Sequence, residues 1–472
     1  MSRRHVGSGP LGVDGKTDRK PGRSADARKW LVSCATLAFC VATTAPLHAA
    51  DPDGTVPGSE ARVPAELVLD LESFDLVRKT IEARYPKPER IDSSWQSRAD
   101  SLRSEVEASG SKGEARALLT ALALSFGESH FAIIPSDAYG KLYEDEEDGA
   151  DPGEASSSEG SVGLDVRWLD GALVAVRLDE GGSAERAGIV PGDEILSIDG
   201  RTTRDLVDVL RENADDSVSR FETSVAMVAQ RRLTGKLGQE RVIVLCRQPG
   251  DTLEVAAAIE PWRGAPTKLG ALPEQTVETF SRDFGDAGVF GFSMFLSPMT
   301  VMPAAQSAFE SFHDKKGIVI DLRGNFGGLL PMIQGIVGWL VSEPTQLGHM
   351  VMRDADLKLF ANPRPPHFEG KVAILTDELS ISAAELFTAG VQEAGLARVF
   401  GGRTAGLALP ANVVRLPNGD GFMFVVAEYT TPKEVRLERT GVIPDVEVSF
   451  SRFDLYENAD PVLDAALNWI RE

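Results

Sequence analysis

In the stretch ILTDELSISAAELF (Ile374 to Phe387) an apolar run that reads as a buried strand breaks at Asp377-Glu378, and a helical pattern begins at Ser382 beside small residues. A hydroxyl in the first turn of a helix lies among unpaired backbone amides, and small neighbours let a carbonyl approach. That combination suits attack on an acyl group. A plain helix N-cap accounts for the same serine, although Ser380 could take the cap instead. An attacking serine needs a base. Of the six histidines, His5 and His48 fall in the N-terminal leader. His313 in FHDKKG and His367 in RPPHFEG read as solvated loops, His349 in the alternating QLGHMVMR is a spare candidate, and His130 precedes an apolar strand. The chain has no His-Glu-x-x-His, no paired cysteines for a metal, no Gly-x-x-x-x-Gly-Lys loop, and no Gly-x-Ser-x-Gly around Ser382. Acyl transfer without cofactor or metal is the chemistry left.

The elements that must position these groups follow from composition and periodicity. With 472 residues, 42% hydrophobic and 25% charged, the chain can bury a sizeable core in two or three domains. Residues 1–50 read as a secretory signal: a basic leader ends at Arg28-Lys29, and the apolar run Trp30 to Ala50 closes on small residues. Pro46 and His48 leave that run short for a bilayer span of about 20 residues, so cleavage near Ala49 or Ala50 is preferred to a membrane anchor. Export follows, to the periplasm or beyond, with no stable membrane span in the mature chain. Cys34 and Cys40 leave with the signal, and Cys246 alone cannot form an internal disulfide. The formal charge of −22 becomes more negative once the basic leader is gone, which excludes a nucleic-acid partner.

Residues 51–142 carry helical spacing in ELVLDLESFDLVRKTIEARY and GEARALLTALALSF, predicting a small helical domain. An acidic, Gly/Ser-rich linker occupies 143–159. In 160–262, strand-like VGLDVRW and ALVAVRL precede GSAERAGIVPGDEILSIDGR, which resembles a PDZ domain. Such modules bind peptide C-termini by strand addition, with loop amides on the carboxylate. The resemblance puts Val162, Gly163 and Leu164 in that loop; a bracing role for the module is the other reading. The segment SVSRFETSVAMVAQRRLTGK exceeds what the module needs and reads as an inserted helix. From 263 to 472, strand and helix alternate, predicting a layered α/β domain.

Three stretches of this last domain, IVIDLRGNFGG, ILTDELSISAAE and LERTGVIPDVEV, together resemble the C-terminal-processing (tail-specific) serine peptidase family. The resemblance implies a multidomain α+β protein whose catalytic domain has a ClpP/crotonase-like layered fold. It implies Ser382, just before Ala-x-Glu, as nucleophile, and the amides of Gly328 and Ala383 as oxyanion hole. The lysine of the best-known branch has no counterpart: RTAGLALP puts Leu407 in its place. SFGESHFAIIP resembles the histidine stretch of the tricorn-type branch, which uses Ser, His and Glu. That implies His130 as base and Glu438 as the acid that orients it. Lys433 is a fallback base on condition that it is buried with a depressed pKa. Asp377 and Glu378 rank below Glu438 as partners of the base. The expected function is an exported serine endopeptidase acting on unfolded or C-terminally exposed polypeptides, with oligomeric state open. The rival is an inactive peptide- or small-ligand-binding protein on the same scaffold. An acyl-CoA enzyme is disfavoured by the acidic chain.

Overall fold

The computed structural model describes residues 64–139, 159–213 and 218–472; the expected signal at 1–50 and all but the last residue of the linker lie outside these. Three helices come first, α1 (Pro64–Arg84), α2 (Ser93–Glu107) and α3 (Lys112–Ala123). Their apolar stripes, including Phe74, Val77, Ile81, Leu102, Leu119 and Leu122, meet in one buried core. Gly127 then turns the chain with φ 62°, and His130, also at φ 62°, precedes the short strand β1 (Ala132–Ile134).

The second unit holds β2 (Leu164–Leu169), β3 (Ala172–Leu178), α4 (Ser183–Arg186), β4 (Glu194–Ile198), α5 (Thr203–Asn213), α6 (Val218–Arg232), β5 (Glu240–Gln248) and β6 (Asp251–Ala258). The strands form an antiparallel sheet in that order, with β2 at its edge. The expected inserted helix is α6, and its Val225 and Ala229 join the module's core.

The third unit is built on β7 (Thr279–Asp283), β8 (Ala287–Phe292), α7 (Pro298–Ser311), β9 (Gly317–Asp321), α8 (Leu330–Val337), β10 (Thr345–Met352), β11 (Lys371–Thr376), α9 (Ala383–Glu393), β12 (Arg398–Gly401), β13 (Ala411–Arg415), β14 (Gly421–Val425), β15 (Val446–Glu447), α10 (Arg452–Tyr456) and α11 (Pro461–Arg471). Its main sheet runs β7-β8-β9-β11-β12-β15, parallel from β8 onward. Both faces are covered, which is why GIVID and KVAILT are apolar at every second position and in between. Ile318, Ile320 and Ile374 face a core shared with α7, α8 and α9, while Val319 and Leu375 face α11. The layered α/β domain predicted from the alternating pattern is present.

The N-terminal helices do not keep a core to themselves. Strand β1 pairs antiparallel with β14 (Ala132 opposite Met423), and Phe131 and Ile133 are buried with Phe422, Phe424 and Leu409. Arg116 clasps buried Asp420 through Nε (2.9 Å) and Nη2 (2.8 Å), so α3 is fastened to the same hairpin. His130 thereby sits just before a strand that pairs with the C-terminal unit. The second unit docks by Arg167 on Asp377 (2.9 Å) and by Arg452 of α10 on Glu194 (2.8 Å).

Candidate active site

Strands β9 and β11 are hydrogen-bonded neighbours, and the loops leaving their C-terminal ends build the site, the position an open parallel sheet offers for a ligand. The loop after β9 is the glycine turn 324–328; the loop after β11 leads to Ser382. Asp377 joins them, its Oδ1 accepting from Gly324 N (2.9 Å) and Leu379 N (3.0 Å). Asn325, fully buried, does the rest. Its Nδ2 donates to Phe292 O (2.7 Å), its Oδ1 accepts from Gly327 N (2.9 Å), and its carbonyl accepts from Ile381 N (2.9 Å).

Ser382 opens α9 with φ 56° and ψ −117°, a region that a residue with a side chain enters at a cost of about 1–3 kcal/mol. Two acceptors hold its N–H there: Leu407 O and the Glu385 carboxylate, each at 3.0 Å. Glu385 is fully buried and also accepts from Thr404 Oγ1 (2.6 Å), Gly406 N (2.8 Å) and Leu407 N (2.9 Å). Burial pushes its carboxyl up to about 7, against the pull of those donors.

Gly328 N–H and Ala383 N–H, the expected oxyanion donors, have no protein acceptor among the described residues. Gly328 adopts φ 139°, and a Cβ there would lie 2.3 Å from Phe295 O, so only glycine fits. Gly327 is closer still to Ser382. At φ 82°, its added Cβ would meet Ser382 Cβ at 2.8 Å and Ala383 N at 2.7 Å. Gly327→Ala is therefore expected to displace both the serine and the amide next to it, lowering kcat/KM by roughly 10²–10³. Steady-state kinetics on a folded variant checks this; a loss below about fivefold would show that the turn does not set the site.

The third participant arrives from β1. Glu438, buried, accepts from Ser129 N (2.9 Å), from Ser129 Oγ (2.8 Å) and from Ala408 N (3.1 Å). Ser129 Oγ also lies 2.8 Å from His130 Nδ1. A carboxylate only accepts, so the Ser129 hydroxyl gives its proton to Glu438 and receives the hydrogen bond from His130 Nδ1–H. This fixes the tautomer and leaves Nε2 with its lone pair. Glu438 therefore reaches His130 through Ser129 rather than directly, a correction to the expected arrangement. Burial pushes the imidazole down to about 4, so it is neutral at physiological pH. No hydrogen bond joins His130 to Ser382 here, as is common for catalytic bonds without substrate. The two are linked instead through a short segment, Leu407 on Ser382 and Ala408 on Glu438.

Other candidates fall away. Lys433 fails its condition: it is exposed, and its N–H donates to Glu393, the last residue of α9, roughly 15 Å along the helix from Ser382. Its place near the final motif in sequence carried it past the site. Asp377 serves the loops and Arg167, and Glu378 does not bond His130. His349 lies mid-strand in β10 opposite Thr430, while His313 and His367 sit beside Asp314 and Glu369 on the surface. Leu407, at the position of the missing lysine, is buried with Leu379, Ile381, Ala405, Ala226 and Met227. Ser129, Asn325 and Glu385 were not singled out from the sequence. For Ser129 the available signal was its place beside the histidine; for Glu385 it was the third position of the helix.

Residues 288–448 match the model of peptidase family S41, and residues 174–219 match the PDZ domain. Over residues 288–448 the chain resembles peptidase family S41. A chloroplastic C-terminal processing peptidase of Tetradesmus obliquus is 28% identical over 316 residues, 63% of this chain and 61% of that protein. The carboxy-terminal processing protease CtpB of Bacillus subtilis is 25% identical over 296 residues, 62% of this chain and 56% of its own. The chain thus spans about 60% of the length of these relatives. Among solved structures, the photosystem II D1 C-terminal processing protease superposes with a TM-score of 0.52 at 20% identity, covering 82% of this chain and 94% of that one. Mature CPAF gives 0.58 at 13% identity, covering 86% and 98%. These likenesses bear on the fold.

The PDZ domain departs from expectation at its carboxylate loop. Val162 N–H donates to Leu233 O (3.1 Å) and Gly163 N–H to Ser161 Oγ (3.1 Å). The carbonyl of Leu164 accepts from Gln230 Nε2 (2.7 Å). Two of the three amides expected to receive a peptide carboxylate, those of Val162 and Gly163, are already used within the chain.

Proposed function

We propose that the protein is an exported serine endopeptidase that cleaves unfolded or C-terminally exposed polypeptides through an acyl-enzyme. The observation that carries this reading is the strained Ser382 at a helix start beside two open amides, Gly328 N–H and Ala383 N–H, with a neutral, oriented His130 linked to the same segment. His130 Nε2 takes the Ser382 proton as Oγ attacks the peptide carbonyl, and the two amides hold the oxygen that becomes negative. The imidazolium returns its proton to the leaving amine, and water, deprotonated by the same nitrogen, then releases the acyl group. Glu438, held to His130 through the Ser129 hydroxyl, orients the ring and stabilises the imidazolium in both halves. Export is supported by the leader at 1–50, and no helix of the described residues is long and apolar enough to cross a membrane.

The inactive-binder reading draws on the missing lysine and the unformed Ser382–His130 bond. One experiment separates the two. The folded mature chain is treated with a fluorophosphonate probe and the adduct located by peptide mass spectrometry. A single adduct on Ser382 is expected; a folded chain that never labels, or labels elsewhere, ends the peptidase reading.

A further inference from the structure

Helix α6 lies along the outer edge of β2. Near its start, Phe221 meets Trp168 edge-on with ring centroids 5.9 Å apart. Near its end, Gln230 spans two peptide groups of the strand: Nε2 donates to Leu164 O (2.7 Å) and Oε1 accepts from Val166 N (3.1 Å). Just beyond the helix, Leu233 O receives the N–H of Val162 (3.1 Å). The helix thus runs opposite to the strand, and the spans agree: Phe221 to Leu233 rises about 18 Å, and Val162 to Trp168 extends about 20 Å.

A PDZ module takes its peptide by pairing it with an exposed strand edge while loop amides hold the terminal carboxylate. Here the strand edge at Leu164 O and Val166 N and the loop amides of Val162 and Gly163 are already paired from within. The Gln230 carboxamide, donor and acceptor in one plane, stands where a peptide unit would pair. The Leu233 carbonyl, at the negative end of the helix dipole, stands where a carboxylate oxygen would. We propose that α6 is the built-in ligand of this groove, and that the module is a fixed brace for the nucleophile loop rather than a receptor for substrate C-termini.

The other side of α6 gives the reason it stays. Thr223 Oγ1 donates to Glu378 O (2.8 Å), and Ala226 and Met227 are buried against Leu379, Ile381 and Leu407. The carbonyl of Leu407 holds Ser382 N–H. Drawing α6 out to admit a peptide would strip the apolar floor from the turn that carries the serine. Substrate choice then rests with the cleft around Ser382.

Binding to the Ser382→Ala mature chain tests the groove without any need for catalysis. A fluorescein-labelled peptide ending in three apolar residues is titrated as the free acid and as the C-terminal amide, with anisotropy as readout. The two are expected to bind alike within about twofold, and a preference for the acid of about tenfold or more overturns the proposal. A second arm rests on the peptidase reading. Thr223→Val removes the hydrogen bond to Glu378 O at constant shape, and kcat is expected to fall about fivefold to tenfold with KM unchanged, recovering in Thr223→Ser. An unchanged kcat in Thr223→Val overturns the brace. If the chain proves inactive, the acid-against-amide comparison still decides what fills the groove.

Discussion

Replacing His130 with alanine is expected to lower kcat/KM by roughly 10⁴, with the fold intact, because the serine then has no proton acceptor. Ser129→Ala should cost less, roughly 10², since the imidazole keeps its lone pair but loses its tie to Glu438. Lys433→Ala should leave activity unchanged. Equal activity in wild type and His130→Ala would remove the base from the mechanism. The pH profile supplies an independent check with a definite sign. Only the neutral imidazole accepts a proton, and burial holds its pKa at about 4 instead of the ordinary 6.5. The acid limb of kcat/KM should therefore fall near pH 4 to 5, with a flat response from 6 to 8; an inflection at 6.5 to 7 would contradict a buried base. The same depression has a stability side. Between 6.5 and about 4 the unfolded chain takes up a proton that the folded chain refuses, so stability declines as pH falls through that window.

Glu385→Gln is expected to be the most destabilising single change near the site. The carboxylate receives four donors, three of them backbone N–H groups that fix Ser382, Gly406 and Leu407. A glutamine must point an NH₂ at some of these donors, leaving buried groups unpaired at a cost of about 3–5 kcal/mol. Urea unfolding measures this, and fluorophosphonate labelling of the surviving folded fraction should slow as the Ser382 turn relaxes. The wild type should also show a pH slope that the variant lacks. Burial raises the folded carboxyl to about 7 from 4.5, so between those values the folded chain keeps a proton that the unfolded chain has lost. Stability then falls as pH rises, by up to about 1.4 kcal/mol per unit. Parallel curves for the two proteins would mean that Glu385 is ionised throughout and that its donors outweigh its burial.

The sequence made the catalytic layer legible because its signals are local. Apolar runs such as GIVID and KVAILT announce strands covered on both faces, and the glycine turn and small-residue helix start that follow them are read one after another along the chain. The order of strands then brings those two turns side by side without further information. The proposed base was harder, since His130 and Glu438 belong to segments whose contact depends on β1 joining β14, a pairing that no local pattern encodes. Even with both residues in hand, the hydroxyl of Ser129 between them could not be foreseen: it depends on His130 adopting φ 62°, which turns its ring back toward its neighbour. The PDZ groove failed for a related reason. The length of the inserted segment was visible, but which strand it would lie against is settled by packing, with α6 wedged between β2 and the Ser382 turn.

The link between Ser129 and Glu438 spans 309 positions. Closing so long a loop is among the last contacts a folding chain can afford, because its entropy must be met by structure already formed on both sides. Until β14 exists there is nothing for β1 to lie against, and until β1 is seated the serine has no base. On the proposed mechanism, a chain still emerging, or one threaded through a pore in extended form, carries the groups for proteolysis and none of the arrangement. Latency of this kind requires no propeptide and no inhibitor; it ends when the molecule finishes folding, wherever that happens.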